Sequence, residues 1–136
     1  MTVLGLGFQK LVVEKLGAVK GKVNIQSNAN VKEVDKIELD VGSKKQDALK
    51  FTFEFVSDYQ PDVAKITITG DVIWFDKPEE IEKLLKGWKK DKKIPREVMT
   101  PVLNNILSKS NIEALVLSRE LNLPPPIPLP KVELKE

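Results

Sequence analysis

The sequence lacks the two side chains that most often carry chemistry in small proteins. It has 136 residues and contains neither cysteine nor histidine. Histidine is a frequent general base and metal ligand, and cysteine thiolates hold many structural metals. Disulfides and thiolate metal sites are therefore excluded, and no spacing of Asp, Glu and Lys picks out a catalytic pair. We expect no catalytic residue, no metal and no cofactor, so the chain is predicted not to be an enzyme.

Two groups of charged residues could still bind ions. Five lysines lie within eight residues, with only Asp91 as an opposing charge: Lys86, Lys89, Lys90, Lys92 and Lys93. They could form an anion or nucleic-acid patch, but positive charge also stabilises the C-terminal end of a helix. Three glutamates precede them: Glu79, Glu80 and Glu82. Negative charge suits the first turn of a helix, which explains these residues without a metal.

The aromatic residues could form a binding surface or a core. Trp74 and Trp88 are large apolar side chains with one donor each, and core packing is the preferred interpretation of both. Phe51, Phe53 and Phe55 alternate along one segment, as base-stacking aromatics do on some RNA-binding sheets. The residues between them are Thr and Glu rather than Arg, which favours a buried face covered by helices.

Whole-chain composition limits the partners. Basic residues number 22 and acidic residues 20, so no overall field attracts nucleic acid. Only two of the basic residues, Arg96 and Arg119, are arginine, which argues against specific nucleic-acid recognition. Abundant Lys and Glu without Cys is typical of thermophile proteins. No apolar run could span a membrane and no leader is evident, so a cytoplasmic location is expected.

The elements that position these side chains divide into a β region and an α region. Apolar and polar residues alternate in four strand-like stretches before residue 76, most clearly over residues 49–55. A polar turn is predicted at residues 27–30, and hairpin loops at residues 42–48 and 57–64. Gly70 falls inside a strand and could mark a β-bulge.

Two helices follow. The first is predicted to start with Asp76 as N-cap and Glu79 three residues later, and its apolar stripe includes Trp88. In the second, Pro101 either kinks the helix or follows Thr100 as the cap of a new start. Strands followed by helices predict an α+β fold: a four-stranded antiparallel sheet, with or without an extra short N-terminal strand, and two helices packed on one face.

The C-terminal arm, residues 123–136, contains five prolines within the sequence LPPPIPLP. Prolines impose an extended, stiff path with few backbone donors, so little entropy is lost when such an arm docks. The arm could pack back on its own sheet, take part in an oligomer or client interface, or bind a proline-recognition domain. The aliphatic residues that flank or separate its prolines are Leu123, Ile127 and Leu129.

These features resemble the SecB family of export chaperones. The FQKL segment at residues 8–11 is similar to the first strand of that family. The last helix followed by LNLPPPIPLP is similar to its C-terminal region, especially in the SecB-like proteins of archaea and of toxin–antitoxin systems. The resemblance implies one domain over residues 1–136, with a sheet at about 8–76, helices at about 77–122 and the arm at 123–136.

The resemblance also implies a function. SecB-like proteins form dimers that can pair into tetramers, and they hold non-native polypeptides in apolar grooves without nucleotide. The expected groove or interface residues are Trp74, Trp88, Leu123, Pro124, Ile127 and Leu129. The zinc-binding tail of the bacterial export chaperones has no counterpart here, because Cys and His are absent. The alternative is a nucleic-acid-binding or oligomeric scaffold protein of SecB-like fold without chaperone activity.

Overall fold

A computed structural model describes residues 2–19 and 21–127 of the chain. In this part, four strands form one antiparallel sheet: β1 (Thr2–Lys15), β2 (Asn24–Val41), β3 (Lys44–Gln60) and β4 (Ala64–Phe75). Their order is β1-β4-β3-β2. Two helices follow, α1 (Pro78–Asp91) and α2 (Arg96–Glu120). The predicted α+β fold is confirmed.

One face of the sheet forms the core with the helices. Phe51, Phe53 and Phe55 are fully buried on β3, and the residues between them are half-buried. Phe51 lies opposite Val72 of β4, and Phe55 lies opposite Ile68, so the buried rows of the two central strands meet. The alternation of apolar and polar residues along β3 therefore predicts correctly which residues face the core.

The turn predicted at residues 27–30 is wrong. These residues belong to β2, which pairs with β3 along its whole length, including Ser27 opposite Ser57 and Asn30 opposite Glu54. The two serine hydroxyls are hydrogen-bonded at 2.7 Å. A long partner strand offers ladder bonds to the backbone groups of this segment that point towards β3, and this pairing overrides the local preference of Ser and Asn for turns. The hairpin connections are correspondingly shorter than predicted.

Gly70 lies beside a bulge, but the extra residue belongs to β1. The register of β1 against β4 shifts between Phe8 and Lys10, opposite Gly70. A Cβ atom at Gly70 would lie 3.0 Å from the Phe53 ring and from the Phe8 backbone. Glycine at this position therefore allows the edge strand to approach the core closely.

Helix α1 begins one residue later than the predicted cap requires. Lys77 is the N-cap and Pro78 occupies the first turn, so Asp76 lies outside the helix. The Asp76 carboxylate accepts hydrogen bonds from the Lys77 backbone N–H at 2.8 Å and from Trp74 Nε1 at 3.4 Å. Pro78 fixes the helical φ angle, which sets the start of the helix.

Helix α2 starts at Arg96 and continues through Pro101, so Thr100 does not cap a new helix. It ends after Glu120. Asn122 adopts a left-handed conformation with a φ angle of 55°. The Leu123 N–H then donates to the Ser118 carbonyl at 2.8 Å. The arm therefore leaves the helix through a closed turn, as the prolines after Leu123 require.

Candidate functional site

The described residues contain no group of three or more Asp or Glu side chains that could hold a metal ion. Within the same residues, no helix is long and apolar enough to cross a membrane. The candidate functional sites are therefore apolar surfaces and charged faces.

The residues expected at a groove or interface do not form one cluster. Trp74, Trp88 and Leu123 are buried, and Pro124 and Ile127 are partly buried. Leu129 lies outside the described residues. Their assignment to a binding surface remains a prediction.

Both tryptophans are part of the core. Trp74 lies opposite Leu49 of β3, far along the sheet from Leu123, and its Nε1 donates to buried Asp76. Trp88 lies on the buried stripe of α1, with the Lys92 ammonium 5.3 Å from its ring centroid. This lysine lies over the ring of Trp88 in a cation–π contact. The core-packing interpretation of both side chains fits these surroundings.

The start of the arm is attached to the sheet through Tyr59. The Tyr59 hydroxyl, at the end of β3, donates to the Pro124 carbonyl at 2.6 Å. Burial raises the pKa of Tyr59 to about 12, and a hydrogen bond with the Ser118 side chain opposes the shift. The first residues of the arm therefore pack back on the protein's own sheet and α2, which was one of the interpretations left open.

A groove lies where α2 meets the arm. It encloses about 590 Å³ and is called the arm groove here. Its walls combine apolar and polar side chains: Leu115, Val116, Arg119, Asn122, Leu123 and Pro125. A space of this size accepts one or two apolar side chains of a bound chain. Of the predicted residues that the structure describes, only Leu123 lines it.

The second half of α2 places its side chains in an unusual order. Its buried positions are occupied by small residues, Ser110, Ala114 and Ser118. On the outward side, Ile112 is 60% exposed and Val116 is 39% exposed. Small residues let the helix backbone approach the sheet closely, and the larger aliphatic side chains remain outside. Val116 lines the arm groove, so the exposed aliphatic surface continues into it.

Ile112 and Val116 are residues that the sequence interpretation missed. It placed no binding residue on this helix. A signal was nevertheless present, since aliphatic residues at positions 112, 115, 116 and 117 surround the helix axis. A helix that is apolar on all sides has more apolar surface than one sheet can cover.

Further aliphatic side chains lie at the same end of the sheet. The connection from β1 to β2 passes the ends of β4 and β3, because those two strands lie between them. It carries Leu16, 59% exposed, and Val19, 40% exposed. The Leu16 N–H donates to the Val63 carbonyl at 2.8 Å. Val63 lies four residues after Tyr59, in the turn between β3 and β4. In the described part of the chain, exposed aliphatic side chains therefore lie at the end of the sheet that receives the arm.

A second cavity, of about 780 Å³, lies between α1, the loop that follows it and the start of α2. Its floor is apolar and includes Leu84, Ile94 and Val98. Its rim carries charges of both signs, among them Glu80 and Lys83. This cavity is separated from the arm groove by most of the length of α2.

Comparison with known proteins identifies a solved structure of similar fold. No protein-family model and no curated protein sequence matches the chain. Among solved structures, it is similar to the Mycobacterium tuberculosis Rv1957 SecB-like chaperone in complex with a ChAD peptide from the Rv1956 HigA1 antitoxin. The TM-score is 0.55 at 12% sequence identity, and the match covers 99% of this chain and 92% of that chain. The chain therefore has a SecB-like fold.

Proposed function

We propose that this protein binds non-native polypeptides through its apolar surface, without nucleotide, as a holdase-type chaperone. The observation that carries the proposal is the inverted arrangement of α2. Ile112 and Val116 face outward, while Ser110 and Ala114 occupy buried positions. A protomer that needed only its own stability would gain more by burying the aliphatic side chains.

The arm groove gives this surface a shape suited to an extended chain. A client side chain that enters the groove would contact Leu115, Val116 and Leu123, and its neighbours would lie along Ile112. Aliphatic walls bury apolar side chains whatever their order along the client chain, so many sequences can bind. Arg119 and Asn122 at the groove can hydrogen-bond to client backbone groups, which every polypeptide has.

The fold likeness supports the same conclusion. The Mycobacterium tuberculosis protein with this fold is a SecB-like chaperone, and its structure contains a bound peptide. By this analogy we also propose that the present chain forms a homo-oligomer, a dimer or a tetramer. The rival is an oligomeric scaffold in which a second copy permanently covers Ile112 and Val116.

Suppression of aggregation tests the proposal. A denatured model protein is diluted into buffer with and without this protein, at low and high salt and without nucleotide. The Ile112→Thr/Val116→Thr variant is compared with Val12→Thr/Val56→Thr, which makes a similar pair of aliphatic-to-threonine changes on the opposite face of the sheet. We expect protection by the wild type that persists at high salt, because apolar contacts are not screened.

The α2 variant should bind clients about tenfold more weakly, which corresponds to about 1.4 kcal/mol of lost apolar burial. The sheet variant should protect like the wild type. Absence of protection by the wild type at several-fold excess would refute the holdase role. If the α2 variant instead dissociates an oligomer that never protected clients, the scaffold function is correct.

A further inference from the structure

The outward face of α1 is a row of lysines. Lys83, Lys86 and Lys90 are exposed at positions i, i+3 and i+7. The buried residues Ile81 and Trp88 lie on the opposite side of the helix. Residues three, four and seven apart share one helix face, so the three ammonium groups point in a common direction.

The charge of the chain is concentrated here. Residues 83–96 contain seven basic residues and one acidic residue, a net charge of +6. The other residues include 15 basic and 19 acidic ones, a net charge of −4. The near-neutral total therefore conceals a basic face on a mildly acidic protein. A face of this kind attracts anionic partners over a distance of about a Debye length, roughly 8 Å at physiological salt.

The helix dipole does not account for this row. Positive charge is favourable in the last turn, where Lys89 and Lys90 lie. Lys83 and Lys86 lie earlier, and like charges three or four residues apart on a helix repel each other. If only the stability of the helix mattered, acidic residues would be favoured at positions three or four residues from these lysines.

No close ion pair holds these lysines within the described residues, although Lys86 and Lys89 help to lower the pKa of Glu82 after its main cause, the hydrogen bond from Lys36. Glu82, four residues before Lys86, is placed to pair with it but bonds Lys36 of β2 at 2.8 Å. Among the residues that the structure describes, no carboxylate lies within 4.0 Å of Lys83, Lys86 or Lys90. Their charges remain available to a partner.

We propose that this lysine face, defined by Lys83, Lys86 and Lys90, binds an acidic segment of a partner polypeptide. The row from Lys83 to Lys90 is about 10 Å long along the helix axis. Carboxylates on alternate residues of an extended chain are about 7 Å apart, so two or three of them can meet the row. Flexible ammonium groups suit carboxylates whose positions vary. The proposal is independent of the proposed function, because it uses α1 rather than the arm groove.

An acidic polypeptide fits this face better than a nucleic acid. Single-stranded nucleic acids are held by exposed aromatics on which bases stack. The large exposed apolar side chains of the described residues are all aliphatic, and Trp88 is buried beside Lys92. Arg96 is the only arginine of the basic segment, so bidentate phosphate contacts are scarce.

Binding is measured by fluorescence anisotropy with two labelled probes of equal charge, a (Glu-Gly)₆ peptide and an oligothymidylate. The Lys83→Glu/Lys86→Glu/Lys90→Glu variant is compared with Lys10→Glu/Lys44→Glu/Lys65→Glu, which makes the same charge change at exposed lysines of the sheet. A neutral variant, Lys83→Gln/Lys86→Gln/Lys90→Gln, covers the case in which charge reversal prevents folding. Thermal unfolding is recorded for each variant.

We expect the wild type to bind the acidic peptide and to release it as salt rises from about 50 to about 200 mM. The α1 reversal should weaken binding at least tenfold, and the neutral variant several-fold, while the sheet reversal retains most of it. Equal losses in the α1 and sheet variants would show that only net charge matters, and would refute the assigned face. Tighter binding of the oligothymidylate than of the peptide, or no binding of the peptide, would also overturn the proposal.

Discussion

The two helices cover the same face of the sheet with opposite arrangements of side chains. Helix α1 buries large residues, Ile81, Leu84 and Trp88, and directs lysines outward. Its fourteen residues form an amphipathic helix whose apolar side is used within the protomer. Packing of its own side chains therefore fixes α1 on the sheet.

Helix α2 reverses this arrangement in its second half. Buried Ser110 and Ala114 bring the backbone close to the sheet, and Ile112 and Val116 remain outside. The Ser110 hydroxyl is buried and has no hydrogen-bond partner in the described part of the chain. The difference between the helices shows that α1 contributes to the fold of the protomer, whereas part of α2 leaves apolar surface exposed, which the proposed function assigns to a partner.

The largest expected loss of stability comes from truncation on the buried side of α1, and the matched truncation on the outward side of α2 should have little effect. Trp88→Ala should lower the free energy of unfolding by about 3–5 kcal/mol, because a buried indole is removed and a cavity remains. That is a large fraction of the stability of a small domain, about 5–15 kcal/mol. Chemical denaturation followed by circular dichroism measures the change.

Ile112→Ala is the matched truncation on α2. It should change the free energy of unfolding by no more than about 0.5 kcal/mol, because the side chain is mostly in water. A loss comparable to that of Trp88→Ala would mean that Ile112 supports the fold, and the contrast between the helices would not hold.

The sequence was sufficient for the sheet and for α1 because both depend on repeating patterns. Phe51, Phe53 and Phe55 alternate with polar residues, and only one sheet face can then be buried. The continuous strand through Ser27 and Asn30 could not be predicted in the same way. It depends on pairing with β3 about thirty residues away, and local turn preference contains no information about that partner.

The candidate site was less predictable, since it depends on which side of a helix faces the sheet. Leu123 and the arm were recognised from composition, and the core-packing interpretation of Trp74 and Trp88 agrees with their burial. In α2, helical spacing groups Ala114 with the inward residues Val102 and Ile106, but it does not show that Ile112 stays uncovered. The exposure of Ile112 depends on how closely the small residues let the helix approach the sheet, and that is a property of the packed structure.

An intermediate effect is expected where α2 passes into the arm. Tyr59→Phe removes the hydrogen bond to the Pro124 carbonyl, and should lower the free energy of unfolding at neutral pH by about 1–2 kcal/mol. Limited proteolysis should also cleave the arm more readily in this variant. Unchanged stability and unchanged cleavage would mean that Leu123 alone holds the arm.

The same hydroxyl predicts a response to alkaline pH. The pKa of Tyr59 is about 12 in the folded protein, against about 10 for an unfolded chain. Between these values the unfolded chain loses the proton first, so stability should fall as pH rises, by up to about 2–3 kcal/mol. Tyr59→Phe should lack this component. Lys36, whose pKa is raised by its hydrogen bond to Glu82, titrates in both proteins and cancels in the difference.

The smallest expected effect concerns the ion pair that joins α1 to β2. The hydrogen bond from Lys36 lowers the pKa of Glu82, so its contribution is present above the ordinary carboxyl pKa and is lost as pH falls through the lowered value. Both groups are exposed, and such pairs contribute little. Glu82→Gln should therefore lower the Tm slightly at neutral pH, and the difference should vanish in acid and at high salt. A decrease as large as that of Trp88→Ala would show that α1 is held by charge rather than by its apolar side. In that case the pair between Glu82 and Lys36 would be too stable to break. Glu82 could then not turn to Lys86 and neutralise part of the lysine face.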